Sequence, residues 1–233
     1  MNQRIALVTG GSRGLGYEIC RALSQQNIKV ILTARNPEAG EKAASQLCQG
    51  GGEVTFYPLD ITDLSQITAL RETILTKYGR LDILVNNAGI YLDQHQNALS
   101  ITPQQITQAI NTDVCGTFAM CQAVIPIMRQ QNYGRIVNIS SRTSRLDQMN
   151  HQGLTYKIAK SSINVITIVL AQEVKEDNIA INAVNPGWLK TDMGGEIAAL
   201  SPDAGTPGPV MLATLPDGGP SGCFFNGTEL WPW

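Results

Sequence analysis

The chain has 233 residues, enough for one α/β domain with a sizeable core or two small ones. Hydrophobic residues make up 43% and charged residues 15%, an ordinary globular balance that argues against extended disorder. A formal net charge of -2 argues against nucleic acid as a partner and against a polybasic membrane patch.

Apolar sequence begins within the first few residues, which predicts no signal peptide, and no run of about 18 apolar residues predicts a membrane span. The five cysteines (Cys20, Cys48, Cys115, Cys121 and Cys223) include no C-x-x-C pair, as expected for reduced thiols in a cytoplasmic protein. His95 and His151 have no partner at metal-ligand spacing, so no metal site is expected.

In chain order, short runs rich in Val and Ile predict strands buried on both faces at 5–9, 28–33, 54–57, 81–85, 135–139 and 179–184. Helical patterns alternate with them at 14–26, 38–49, 64–78, 103–130 and 156–176. Thr102-Pro103 forms a cap and first turn for the long fourth helix. Strands joined by crossover helices imply an α/β fold: one Rossmann-type, doubly wound parallel sheet in a three-layer αβα domain over 1–233. From 194 to 222 the chain becomes rich in proline and glycine. That stretch reads as a flexible substrate flap around one short helix, with a last strand near 223–226.

The first strand runs into Thr9-Gly10-Gly11-Ser12-Arg13-Gly14-Leu15-Gly16, where a helix begins. Glycines permit a sharp turn and close backbone approach to a pyrophosphate, and free N–H groups at a helix start stabilise the anion. Dinucleotide binding by Gly10, Ser12, Arg13, Gly14, Leu15 and Gly16 is the expectation. The cofactor is read from the end of the second strand. A carboxylate there would bind a free ribose 2′-hydroxyl and repel a 2′-phosphate, but the sequence is Thr33-Ala34-Arg35-Asn36. Arg35 can fork onto a phosphate, Arg13 can flank it, and NADPH is therefore expected.

The spacing T-G-x-x-x-G-x-G resembles the short-chain dehydrogenase/reductase family. Asn86-Asn87-Ala88-Gly89, Asn138-Ile139-Ser140-Ser141, Tyr156-Lys157-Ile158-Ala159-Lys160 and Asn185-Pro186-Gly187 follow in the family's order, from about residue 4 to about residue 193. The segment Pro186-Gly187-Trp188-Leu189-Lys190-Thr191-Asp192-Met193-Gly194-Gly195 is most similar to the carbonyl-reductase branch. The resemblance implies cofactor contacts from Asp60 and Ile61 at the adenine, from Asn87, Ala88 and Gly89, from Pro186 and Gly187 at the ring, and from Thr191 at the carboxamide.

Tyr156 and Lys160 stand four residues apart and share a helix face. A free phenol, with a pKa near about 10, is a poor acid-base group at neutral pH. A neighbouring ammonium favours the phenolate and makes it a better one. The resemblance makes Tyr156 the proton donor, gives Lys160 the nicotinamide ribose as well, and selects Ser141 over Ser140 to donate a hydrogen bond to the substrate carbonyl oxygen. It also exposes a departure. The family carries an asparagine three residues before the glycine of the fourth long helix, where it orders a water beside the lysine. Here that position is Asp113. Asn111 lies about 200° around a helix from it. Asp113 is preferred for the relay, and a shift of the helix would pass the role to Asn111.

Monomeric carbonyl reductases carry a long insertion before the tyrosine, whereas here about fourteen residues separate Ser141 from Tyr156. The resemblance then implies a homodimer or homotetramer built on the two long helices, with Ile163, Ile166, Thr167 and Leu170 as an interface stripe or, equally, as core. The expected partner is a small-molecule carbonyl substrate, a fairly apolar ketone or aldehyde enclosed by 90–100, 142–153 and the flap. A 3-oxoacyl-thioester reductase of fatty-acid synthesis is the alternative within the same chemistry. A non-catalytic NADP(H)-sensing protein is the alternative of another class, and the retained Tyr156/Lys160 pair speaks against it.

Overall fold

The computed structural model describes residues 3–233. Strand and helix alternate through β1 (Ile5–Thr9), α1 (Gly14–Ser24), β2 (Lys29–Ala34), α2 (Pro37–Gln49), β3 (Val54–Pro58), α3 (Leu64–Tyr78) and β4 (Ile83–Asn86). There follow α4 (Pro103–Ala109), α5 (Gly116–Gln130), β5 (Gly134–Ile139), α6 (Leu154–Glu173), β6 (Ile179–Asn185), α7 (Pro207–Ala213), β7 (Phe224–Asn226) and β8 (Glu229–Trp231). The eight strands form one sheet in the order β3-β2-β1-β4-β5-β6-β7-β8, parallel except for the antiparallel β7–β8 pair.

Strand alternation builds the two faces. On β1, Ala6 and Val8 pack with Leu23, Leu47 and Leu212, while Ile5 and Leu7 pack on the other side with Leu70, Met128 and Ile181. Helices cover both faces, as the expected doubly wound αβα architecture requires. β1 pairs with β2 on one side and β4 on the other. The order of the chain reverses between them, and a crevice opens at their carboxyl ends.

Local chemistry sets the helix boundaries. Asn36 accepts from the Ala39 N–H ahead of α2, and Asp63 accepts from the Ser65 and Gln66 N–H groups ahead of α3. Thr102 and Gln105 form a reciprocal capping box with Pro103 at the first helical position of α4.

One sequence expectation changes on contact with the structure, and two are sharpened. The helix expected over 103–130 is interrupted by a π-helical stretch, Ile110–Cys115, between α4 and α5. An extra residue per turn rotates the side chains that follow, and π-bulges of this kind concentrate at functional sites. The segment 194–222 carries the one short helix expected within it, α7. Leu212 and Ala213 of α7 are buried against the sheet, and the buried Arg135 on β5 donates through Nε to the Leu215 carbonyl and through Nη2 to Asp217. Of the α6 stripe, Ile163 and Thr167 are buried core, Ile166 and Leu170 are partly exposed, and the exposed apolar residues of that helix are Val165 and Val169. β8 was not visible in the sequence, because three residues are too few to display a period of two.

Candidate active site

The Gly-rich turn leaves β1 at Thr9, and the loop after β4 holds it in place. Asn87 Nδ2 donates to the carbonyls of Thr9 (2.9 Å) and Gly10 (3.1 Å), while the Asn87 and Ala88 N–H groups donate to Thr9 Oγ1. Gly16 is obligatory in this packing, since a Cβ there would lie 2.3 Å from the Gly10 carbonyl oxygen and 2.4 Å from Asn87 Nδ2. Arg13, at the N-cap of α1, places no side-chain acceptor on the helix. The first-turn N–H groups are thus not claimed by a cap, which suits an anion.

The other expected cofactor residues have varied surroundings, with one surprise. Arg35 and Asp60 line a shallow depression of about 490 Å³ together with Thr62, Thr107 and Asn111. Asp60 accepts from the Thr62 N–H and hydroxyl, so it is Asp63 that caps α3. Ile61 is buried beside Gly116. Thr191 stands against Gly14, and its Oγ1 accepts from the Gly194 N–H. The surprise is Arg13, which forms a 2.7 Å ion pair with Asp192 between two exposed side chains. Gln94 donates to the Met193 carbonyl at 3.3 Å, a second link between the loops that border the crevice.

The residues expected to react gather where β5 ends and α6 begins. Lys160 Nζ donates to the Ile139 carbonyl at 3.1 Å and lies 5.5 Å from the centre of the Tyr156 ring, so one helix face carries both, as the spacing predicts. Ser140 donates to Asn164 Oδ1 at 2.7 Å and is engaged in the helix–strand seam. Ser141 is also buried, but its hydroxyl meets only the neighbouring Thr143, which leaves Ser141 as the serine able to turn toward a ligand. Asn164 also donates to Ser144, and Asn138 spans from Asn86 to Thr167. These asparagines knit β4, β5 and α6 together. Sequence reasoning gave Asn164 no role, because its partners are some twenty residues away and no local spacing signals them.

The π-helical stretch turns Asp113 inward and leaves Asn111 outside. Asp113 is fully buried, whereas Asn111 is exposed on the depression near Arg35. Asp113 Oδ1 accepts from the Ile90 N–H at 2.9 Å. Its Oδ2 forms an ion pair with Lys160 Nζ at 3.4 Å that falls short of hydrogen-bond geometry. Burial pushes the Asp113 carboxyl above the ordinary carboxylate range, opposed by the Lys160 ammonium and the Ile90 N–H.

Residues 4–200 match the short chain dehydrogenase family, and the chain belongs to it. Among curated relatives it is 33% identical to (+)-neomenthol dehydrogenase from Arabidopsis thaliana, over 97% of each chain. It is also 33% identical to carbonyl reductase [NADPH] 1 from Rattus norvegicus, over 98% of each chain. The alignment with the rat protein runs over 277 positions, so that relative carries segments with no counterpart among the 233 residues here. The structure of NADPH-bound carbonyl reductase from chicken fatty liver superposes with a TM-score of 0.88 at 25% identity, covering all of both chains.

The buried Asp113–Lys160 pair makes a pH prediction. A carboxyl with a raised pKa is ionised above that pKa and becomes neutral as the pH falls through it, so the ion pair is lost earlier than at an exposed aspartate. The rate profile of the wild type should therefore carry an acid-side step above the usual carboxylate range of about 4. Asp113→Asn should lose that step, and its persistence in the variant would assign it to another group.

Proposed function

We propose that this chain reduces a ketone or aldehyde to the alcohol with NADPH, and that Tyr156 is the proton donor. One observation carries the reading: the Lys160 ammonium, 3% exposed, lies 5.5 Å from the Tyr156 ring at the carboxyl edge of the sheet. The names of the rat and chicken relatives, both carbonyl reductases with NADPH, support the same chemistry.

The residues present fit the cofactor. The uncapped start of α1 and the turn Gly10–Gly16 suit the pyrophosphate, and Arg35, with no carboxylate at the end of β2, suits a 2′-phosphate. The family resemblance assigns the nicotinamide half to Asn87, Ala88 and Gly89, together with Lys160, Pro186, Gly187 and Thr191. When bound, NADPH supplies the hydride that reaches the carbonyl carbon. Ser141 donates a hydrogen bond to the carbonyl oxygen and stabilises its developing charge. Tyr156 gives that oxygen its proton, and the Lys160 ammonium favours the phenolate left behind. Asp113 acts through Lys160 by holding it from the opposite side.

The five cysteines are free thiols, and burial pushes Cys121 up to about 12 and raises Cys20 as well, which makes both inert. The cytoplasm suits such a set. Phe118 on α5 and Val165 and Val169 on α6 are exposed, and a second copy packed on these helix faces would give the homodimer or homotetramer. Light scattering checks the assembly, and a mass of one chain at micromolar concentration would count against it.

Two variants test the chemistry. Tyr156→Phe should lower NADPH-dependent ketone reduction by about 100-fold or more, the usual scale for a general acid, with NADPH affinity retained. Arg35→Ala should weaken NADPH by about tenfold or more, the loss of one charge-assisted contact, and leave NADH nearly unchanged. Equal weakening of both cofactors would remove Arg35 from the phosphate.

A further inference from the structure

Tyr91 and Asp93 stand two residues apart in the loop after Gly89, and both reach the start of α6. Asp93 is 1% exposed, and Thr155 engages both of its carboxylate oxygens. The Thr155 N–H donates to Oδ2 at 2.9 Å, and the Thr155 hydroxyl donates to Oδ1 at 2.6 Å. Thr155 is the second residue of α6 and the immediate neighbour of Tyr156.

The helix needs this partner from outside. Its N-cap is Gly153, in the left-handed region at φ +68°, with no side chain to accept a first-turn N–H. Asp93, 62 residues away in sequence, does what a capping side chain does and sets a negative charge at the positive end of the helix. The second contact is made by Tyr91. Its ring stacks on that of Tyr156 with centroids 4.8 Å apart and planes inclined by 29°. Gly153 serves this contact too, because a Cβ there would lie 2.8 Å from Tyr91 Oη.

We propose that Tyr91 and Asp93 form a two-point clamp that positions Tyr156: the carboxylate fixes the first turn of α6, and the stacked ring fixes the plane of the phenol. Its catalytic consequence rests on the reading of Tyr156 as proton donor. The clamp itself is a matter of where the ring lies. Burial raises the Tyr91 phenol above its ordinary range, with Asp93 and Tyr156 adding to the effect, so the group stacked on Tyr156 stays uncharged where the enzyme works. Lys157 also faces Asp93, with its Nζ held by the Asn150 carbonyl and Oδ1.

The test compares Tyr91→Phe, Tyr91→Leu, Asp93→Asn and Asp93→Ala with the wild type and with Tyr156→Phe. Three readouts are taken on the full chain: kcat and KM of reduction across pH, NADPH affinity, and the 13C-tyrosine NMR spectrum. Tyr156→Phe identifies the Tyr156 signal by its loss. Tyr91→Phe keeps the ring and should keep kcat within about twofold, while Tyr91→Leu should lower kcat by about 10- to 100-fold, the scale of a misplaced reacting group. NADPH affinity should hold in both, and the Tyr156 signal should move in Tyr91→Leu as the ring current is removed. Asp93→Asn, with one acceptor oxygen left, should fall between the wild type and Asp93→Ala.

Wild-type kcat and an unmoved Tyr156 signal in Tyr91→Leu would overturn the clamp, and so would equal losses in Tyr91→Phe and Tyr91→Leu. Loss of NADPH affinity in step with kcat would reduce the loop to a structural support and overturn it equally. Full turnover by Tyr156→Phe would refute the proton-donor reading instead, and the NMR comparison would still decide the clamp.

Discussion

The site depends on one buried cation. Lys160 has almost no access to water, and an ammonium in that position must be paired and hydrogen-bonded to remain charged. The Ile139 carbonyl at the end of β5 and the Asp113 carboxylate on the π-helical turn supply those partners. Each comes from a different element, so the charge that serves Tyr156 also ties strand, turn and helix to one another. Desolvation and pairing pull in opposite directions on Asp113, and burial wins. A neutral asparagine would avoid that conflict but would leave the ammonium without a counter-charge.

Around this pair the polar groups sort themselves by depth. Beneath the site Asn86 Nδ2 donates to Asn138 and Asn138 donates to Thr167, while Asn86 Oδ1 is left without a partner; Ser140 and Ser144 share Asn164 along the seam of β5 and α6. Nearer the surface Ser141 has only Thr143. In a low-dielectric interior an unpaired amide or hydroxyl costs about 1–3 kcal/mol. Most inner groups are accordingly paired, with Asn86 Oδ1 and Asp113 Oδ2 the exceptions, and the Ser141 hydroxyl is the one least engaged.

Most of the fold was legible because the strands are buried on both faces and read as unbroken apolar runs. Helices betray themselves through spacing, as α1 does, or through caps, as Thr102-Pro103 does for α4. The Gly-rich turn and the Tyr156/Lys160 spacing were legible for the same reason: both are local. What stayed hidden was non-local or irregular. A π-helical turn has no signature in apolar periodicity, so the choice between Asp113 and Asn111 required the actual path of the backbone. Asp93 could not be recognised as a cap, because it caps a helix that begins 61 residues later in the chain. The α7 segment looked like loose chain because prolines and glycines mark turns and packed backbone alike, and only Leu212 and Ala213 against the sheet distinguish the two.

The exposed ion pair of Arg13 with Asp192 joins the phosphate turn to the loop that carries Thr191. Between solvated side chains such a latch is worth at most about 1 kcal/mol. It fastens the mouth of the crevice no more firmly than a thermal fluctuation can undo, while Tyr156, Lys160 and Ser141 sit on a rigid floor of strand and helix. Entry and exit are thereby given to the loops, and constancy of geometry to the scaffold, so the rim can loosen without the reacting groups losing their places.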